Sequence, residues 1–154
     1  MALEEECIFC KIVTEDIGCA KIWEDEKHIA FLDINPNTEG MTLVIPKDHY
    51  NSYAFEMPDT AYTELMIASK KVAKILEKGL DVKRVAMVME GMGVNHVHIK
   101  LYPIHGIKEI FEVNISKEIK YFKEYEGYIS THLGPKKDLE ELEKFAEKIR
   151  EKNK

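Results

Sequence analysis

The stretch from Asp59 to Lys78 constrains how the rest of this chain can pack. Leu65, Ala68, Val72, Ile75 and Leu76 recur at three- and four-residue spacing, with lysines on the other side, which predicts one long amphipathic helix. Asp59 or Thr60 is the expected cap after Pro58, and Gly79 the expected stop. Short apolar segments flank it: 20–23, 29–33 and 41–46 before, 82–89 and 94–102 after, bounded by turn residues such as 24–27 and 35–40. Strands in meander order, with a single long helix between the third and fourth, imply an antiparallel sheet covered by helices, an α+β arrangement. A helical turn is expected from Cys7 to Thr14. The Glu/Lys-rich tail from Asp138, with Leu139, Leu142, Phe145, Ala146 and Ile149 at helical spacing, reads as a partly buried amphipathic C-terminal helix. Residues 107–128, rich in Tyr, Phe and Lys, carry no clear pattern.

A chain of 154 residues is large enough to bury one core without covalent staples. No apolar run approaches the ~20 residues of a membrane span, and the acidic start lacks a signal-peptide pattern, so a cytoplasmic protein with no membrane partner is expected. The net charge of −6 argues against a duplex-DNA binder, which shows a basic face, without excluding a small anionic ligand in a locally positive pocket.

The chemistry concentrates in Val94-Asn95-His96-Val97-His98-Ile99-Lys100-Leu101-Tyr102-Pro103. Val97, Ile99 and Leu101 alternate with His96, His98 and Lys100, so in a strand the two imidazoles and the ammonium share one face. Such a histidine pair can ligate a metal, with Glu90 as the nearby carboxylate of a facial triad, or one imidazole can act as a nucleophile. Cys7-Ile-Phe-Cys10 adds a second constellation. Three cysteines without an export signal do not make a disulfide framework, so the pair is expected to serve metal or redox chemistry, and Cys19 to be a small buried hydrophobe. A zinc site needs about four thiolate or imidazole ligands. Candidate partners for the pair are His28, His49, His96, His98, His105 and His132, of which His28 and His132 read as plain solvated surface.

Taken in order, Cys7-Ile-Phe-Cys10-Lys-Ile, Trp23-Glu-Asp-Glu, Ala30-Phe-Leu-Asp-Ile34, Gly40-Met-Thr-Leu-Val-Ile-Pro-Lys-Asp-His49 and Val94-Asn-His-Val-His-Ile-Lys-Leu101 resemble the histidine triad (HIT) nucleotide-binding proteins. The resemblance runs from Cys7 to Ile104. It implies a HIT-like α+β domain over residues 1–106, usually paired as a homodimer, with residues 107–154 as an extension packed on the same domain. The middle histidine of the family's motif is the nucleophile, here His98, which forms a nucleotidyl-histidine that water hydrolyses. In zinc-containing members the matching positions, Cys7, Cys10, His49 and His96, hold the metal, and a closed set of this kind makes the zinc structural. Asp33 falls at the ribose-binding position, and Ile8, Phe9, Phe31, Ile34 and Leu43 fit the apolar clamp on the base, with ordinary core as the competing reading of those five. A purine nucleotide or nucleotide conjugate, such as a phosphoramidate or dinucleoside polyphosphate, is the implied ligand. The family's third motif histidine is Lys100 here, and Met41 stands where a histidine is common. Lys100 adds a fixed cation toward phosphate but no proton shuttle near neutral pH. The alternative to a hydrolase is therefore a nucleotidyltransferase or a non-catalytic nucleotide-binding module.

Overall fold

The computed structural model describes residues 3–111 and 113–152. The chain forms two compact units, Met1–Glu112 and Val113–Lys154. In the first, the elements in chain order are α1 (Ile8–Val13), β1 (Lys21–Glu24), β2 (His28–Leu32), β3 (Thr42–Pro46), a 3-10 turn (Ala54–Glu56), α2 (Asp59–Leu80), β4 (Val85–Val88) and β5 (Ile99–Pro103). The five strands make one antiparallel sheet in the order β1-β2-β3-β5-β4. The α+β class expected from the sequence holds, but the meander does not run to the end, because β5 lies between β3 and β4. The 22 residues of α2 span about 33 Å at 1.5 Å per residue. That length carries the chain past the place beside β3 to the far edge, and β5 then folds back into the gap.

Period-two alternation divides the side chains between two cores. Ala30, Val44, Val97, Ile99 and Leu101 pack with Leu65, Ala68, Val72 and Leu76 of α2. Ile29, Phe31, Leu43 and Ile45 point the other way, onto Cys7, Phe9, Cys10 and Ile12 of the α1 segment. The sheet is thus covered on both faces, the long helix on one and the Cys-x-x-Cys turn on the other.

Three local expectations fail for identifiable reasons. Neither Asp59 nor Thr60 caps α2; Pro58 holds the N-cap position and no side chain bonds there. The helix also runs through Gly79 to Leu80, because Asp81 adopts the left-handed conformation (φ 51°) and its N–H closes on the Glu77 carbonyl. The last strand begins at Ile99, not Val94. Upstream of it, the Val97 N–H donates to the Tyr50 carbonyl at 2.9 Å and the Asn95 side-chain oxygen accepts from the Ser52 N–H at 3.0 Å. Residues 94–98 are thereby tied to the loop after β3 and not to a neighbouring strand. The alternation itself survives, with Val97 on the α2 side and both imidazoles against Phe9.

The turn leading into this segment is tight. Gly91 has φ +70°, and a Cβ there would run into the Ser52 carbonyl oxygen. Gly91→Ala is expected to cost at least about 2 kcal/mol, from left-handed strain plus the clash. Chemical denaturation of the variant measures it, and a cost below about 0.5 kcal/mol, the usual range of surface changes, would remove the constraint claimed for this turn.

In the second unit, Leu139–Glu151 forms α3, with the Asp138 carboxylate accepting from the Glu140 N–H at 2.8 Å. The helix is where the sequence places it, but Leu139, Leu142, Phe145 and Ile149 are all at least half exposed, so the expected partial burial is not found. The charged residues around that stripe satisfy each other along the helix, as Lys144 does with Glu140. Among the described residues no helix is long and apolar enough to cross a membrane.

Candidate functional site

Four ligand atoms gather where the α1 turn meets the lead-in to β5. The Cys7 and Cys10 thiols and one ring nitrogen each of His49 and His96 lie within 4.8 Å of one another. Cys7 Sγ is 3.5 Å and Cys10 Sγ 3.6 Å from His96 Nδ1, and Cys10 Sγ is 3.4 Å from His49 Nδ1. Zinc bonds of about 2.3 Å to sulfur and 2.05 Å to nitrogen at a tetrahedral angle place S and N about 3.6 Å apart. The three S···N separations given above, 3.4–3.6 Å, match that edge length. The sequence produces this closeness because Cys7 and Cys10 bracket the first turn of α1, while β3 and the β5 lead-in each deliver one histidine.

The surroundings fix both rings. His96 Nε2 donates to the Pro46 carbonyl at 2.9 Å, which leaves the Nδ1 lone pair facing the two sulfurs. His49 Nε2 lies 2.9 Å from a carboxylate oxygen of Glu4, and its Nδ1 faces Cys10. The Glu4 N–H in turn points at Cys10 Sγ, 3.4 Å away. Burial drives His96 down to about 4, more strongly than the Pro46 carbonyl raises it, and the neighbouring His49 and His98 add to the fall. Burial also pushes the Cys10 thiol up. Neutral imidazoles suit metal ligation, whereas the thiols need the metal's charge to ionise. The donor set therefore fits a metal ion.

Beside the cluster stands His98, buried with its Nδ1 2.8 Å from the His96 carbonyl. The carbonyl only accepts, so Nδ1 carries a proton, and in the neutral ring the lone pair is on Nε2. Phe9 sits between the two imidazoles, edge-on to His96 at 5.8 Å and to His98 at 5.5 Å between ring centroids.

Alternation along β5 continues the same face with Lys100 and Tyr102. Lys100 is bound to the carboxylate of Glu90, both side chains being mostly buried. Burial pushes Lys100 down and Glu90 up, but their mutual hydrogen bond reverses both, so Lys100 ends above and Glu90 below its ordinary value. Asp33 lies within electrostatic reach of Lys100 and Tyr102, and its Oδ1 accepts from the Asn35 N–H at 2.7 Å.

Of the apolar residues singled out in the sequence, Phe9, Phe31 and Leu43 belong to the buried cluster around Cys7 and Cys10, whereas Ile34 is 89% and Ile8 44% exposed. His28 is not surface but 5% exposed, held 3.1 Å from the Asp25 carboxylate that also accepts its backbone N–H. His132 is half-buried, against Ser130 Oγ and Glu118, and His105 bonds the Glu39 carbonyl. Cys19 is only partly buried. Glu90 as the partner of Lys100, Glu4 behind His49 and Asn95 as the brace of the loop were not legible beforehand: none falls in a spacing that marks it.

Comparison with known proteins gives a consistent result. The HIT domain matches residues 14–106. An uncharacterized HIT-like protein of Methanocaldococcus jannaschii is 41% identical over 101 residues, 63% of this chain and 78% of its own. The adenosine 5'-monophosphoramidase of Saccharomyces cerevisiae is 38% identical over 104 residues, 66% of this chain and 64% of that one. A crystal structure from Streptococcus mutans superposes with a TM-score of 0.69 at 30% identity, covering 98% of this chain and 87% of that one.

Proposed function

Because the chain belongs to the HIT domain family, which includes hydrolases of adenylylated compounds, we propose that it hydrolyses nucleotide conjugates through a covalent nucleotidyl-His98. The observation that carries this reading is the Nδ1–H of His98 on the His96 carbonyl, which leaves a nucleophilic Nε2 in a buried position. In the first step the Nε2 lone pair bonds to the α-phosphorus while the bond to the leaving group breaks. The leaving group keeps that electron pair and takes up a proton. In the second, a water oxygen bonds to phosphorus as the P–Nε2 bond breaks, its proton passes to solvent, and the nucleotide is released. Splitting one displacement in two lowers the barrier of each.

The other residues are assigned around this atom. Cys7, Cys10, His49 and His96 hold a structural zinc, which supplies cross-linking of the α1 turn to the nucleophile segment. Asp33 takes the ribose hydroxyls as a charged acceptor, and the exposed Ile8 and Ile34 flank the purine, with the buried Phe9, Phe31 and Leu43 behind them. Lys100 stays an ammonium and acts on phosphate charge, not as a proton shuttle. The active protein is a homodimer.

Intact-mass measurement after brief exposure to adenosine 5'-phosphoramidate tests the reading. One adenylyl group gained per chain, mapped to His98 and lost again in water, is the expected result. Turnover with no adduct on any histidine under rapid quench would overturn it, and an adduct that persists in water but passes to an added acceptor would make the protein a transferase.

A further inference from the structure

We infer that Glu4 is a positioning residue of the metal site: its carboxylate holds the His49 ring with Nδ1 turned to the ion, and the metal is bound more tightly for it. The inference rests on the reading of Cys7, Cys10, His49 and His96 as metal ligands. A neutral imidazole has one N–H and one lone pair, so whatever binds one nitrogen decides whether the other can ligate. For His96 the backbone decides: Nε2 donates to the Pro46 carbonyl at 2.9 Å, and the residue is fully buried. His49 stands just past β3 and is only partly buried, and its Nε2 meets a side chain instead, the Glu4 carboxylate at 2.9 Å. The carboxylate only accepts, so in the neutral ring it favours N–H at Nε2. The Nδ1 lone pair is then left toward Cys10 Sγ, 3.4 Å away.

The backbone of Glu4 serves the same cluster. The Cys7 N–H donates to the Glu4 carbonyl at 3.1 Å, closing a turn over Glu5 and Glu6. That turn aims the Glu4 N–H at Cys10 Sγ, 3.4 Å away, a bond that is stronger to a thiolate than to a thiol. Both contacts therefore favour the loaded state. The metal ionises the sulfur that the Glu4 N–H faces, and it polarises the imidazole whose Nε2–H the Glu4 carboxylate accepts. Glu5 and Glu6 carry the same charge one and two residues away, and both are exposed. In sequence the three are an undifferentiated acidic start; the turn singles out one of them for the site.

The test strips the protein with a chelator and refills it with Zn2+. Zinc affinity is read by competition with a chromogenic chelator, and melting is recorded before and after refilling. Glu4→Ala is expected to weaken zinc binding about tenfold. That is the lower end of what the partner of a ligating histidine's other nitrogen contributes, because 55% of the Glu4 side chain is exposed. Glu4→Gln keeps a neutral acceptor for Nε2–H and is expected to bind zinc more tightly than Glu4→Ala. Glu5→Ala and Glu6→Ala are expected to bind it as the unmodified protein does. Metal-free melting is expected to be alike in all of them, since each change lies at the surface. Unchanged zinc affinity in Glu4→Ala overturns the role. So does an equal loss in Glu5→Ala or Glu6→Ala, which would mean general attraction of a cation to an acidic segment. Metal-free melting lowered in Glu4→Ala as far as zinc-loaded melting also overturns it, and would make Glu4 a structural prop. With cobalt(II) in place of zinc, the sulfur-to-cobalt charge-transfer band is expected at full strength in loaded Glu4→Ala. A lost band would show that the side chain holds Cys10 and not His49, against the inference. An unmodified protein that takes up no zinc removes the metal site itself, a result distinct from a site that binds zinc without regard to Glu4.

Discussion

Replacing His98 by alanine is expected to lower nucleotidyl turnover at least about 10⁴-fold, as loss of a covalent nucleophile does elsewhere. Without Nε2, water must attack phosphorus directly, and none of the remaining groups on this face replaces it. Lys100 is held as an ammonium by Glu90 and has no lone pair to offer. His96 turns Nδ1 to the two thiols and Nε2 to the Pro46 carbonyl, so neither nitrogen is available to a nucleotide. The substitution also leaves a gap beside Phe9, with a stability cost of about 1–3 kcal/mol. Melting is therefore recorded on the same sample, and a folded variant separates lost chemistry from lost structure. Nucleotide affinity, read by calorimetry, is expected to change far less than turnover, because the proposed function assigns the ribose to Asp33 and the base to Ile8 and Ile34. Turnover within tenfold of the unmodified protein would rule out the covalent route.

The parts of this fold that were legible in the sequence are those written in a period. The α2 stripe and the alternations Ile29-Ala30-Phe31 and Leu43-Val44-Ile45 sort themselves to one core or the other as read. Spacing also brought Cys7 and Cys10 onto one turn. What failed depends on partners distant in sequence. The strand order required knowing where α2 delivers the chain. Residues 94–98 look like strand by alternation, but the Val97 N–H goes to the Tyr50 carbonyl and the Asn95 side chain takes the Ser52 N–H, some 45 residues earlier. His28 reads as a surface residue until the β1–β2 turn folds Asp25 under it. Lys100 reads as a free cation until Glu90, ten residues earlier and across the β4–β5 connection, is seen against it.

Stripping the metal is expected to lower the melting temperature by about 10 °C or more: a ligand present at a thousand times its Kd stabilises by about 4 kcal/mol, and a domain of this size shifts by a few degrees per kcal/mol. The effect is expected to be large because the four ligands come from three separated segments, so an ion held there would fasten the α1 turn to the loop after β3 and to the β5 lead-in. Acid should act on the metal-free protein through His96. Burial lowers its folded value to about 4, against 6.5 in an unperturbed histidine. Between those values the unfolded chain binds the extra proton, so this contribution is fully present above pH 6.5 and lost as pH falls through 4, about 3 kcal/mol in all. With metal bound, protons compete for the same nitrogen and for thiols that burial already pushes up, so the acid transition should steepen and release the ion. Melting curves against pH, with and without a chelator, read both effects. Identical curves in the two series would sink the metal site, and a metal-free curve flat between pH 6.5 and 4 would show that His96 does not sit neutral and buried against those thiols.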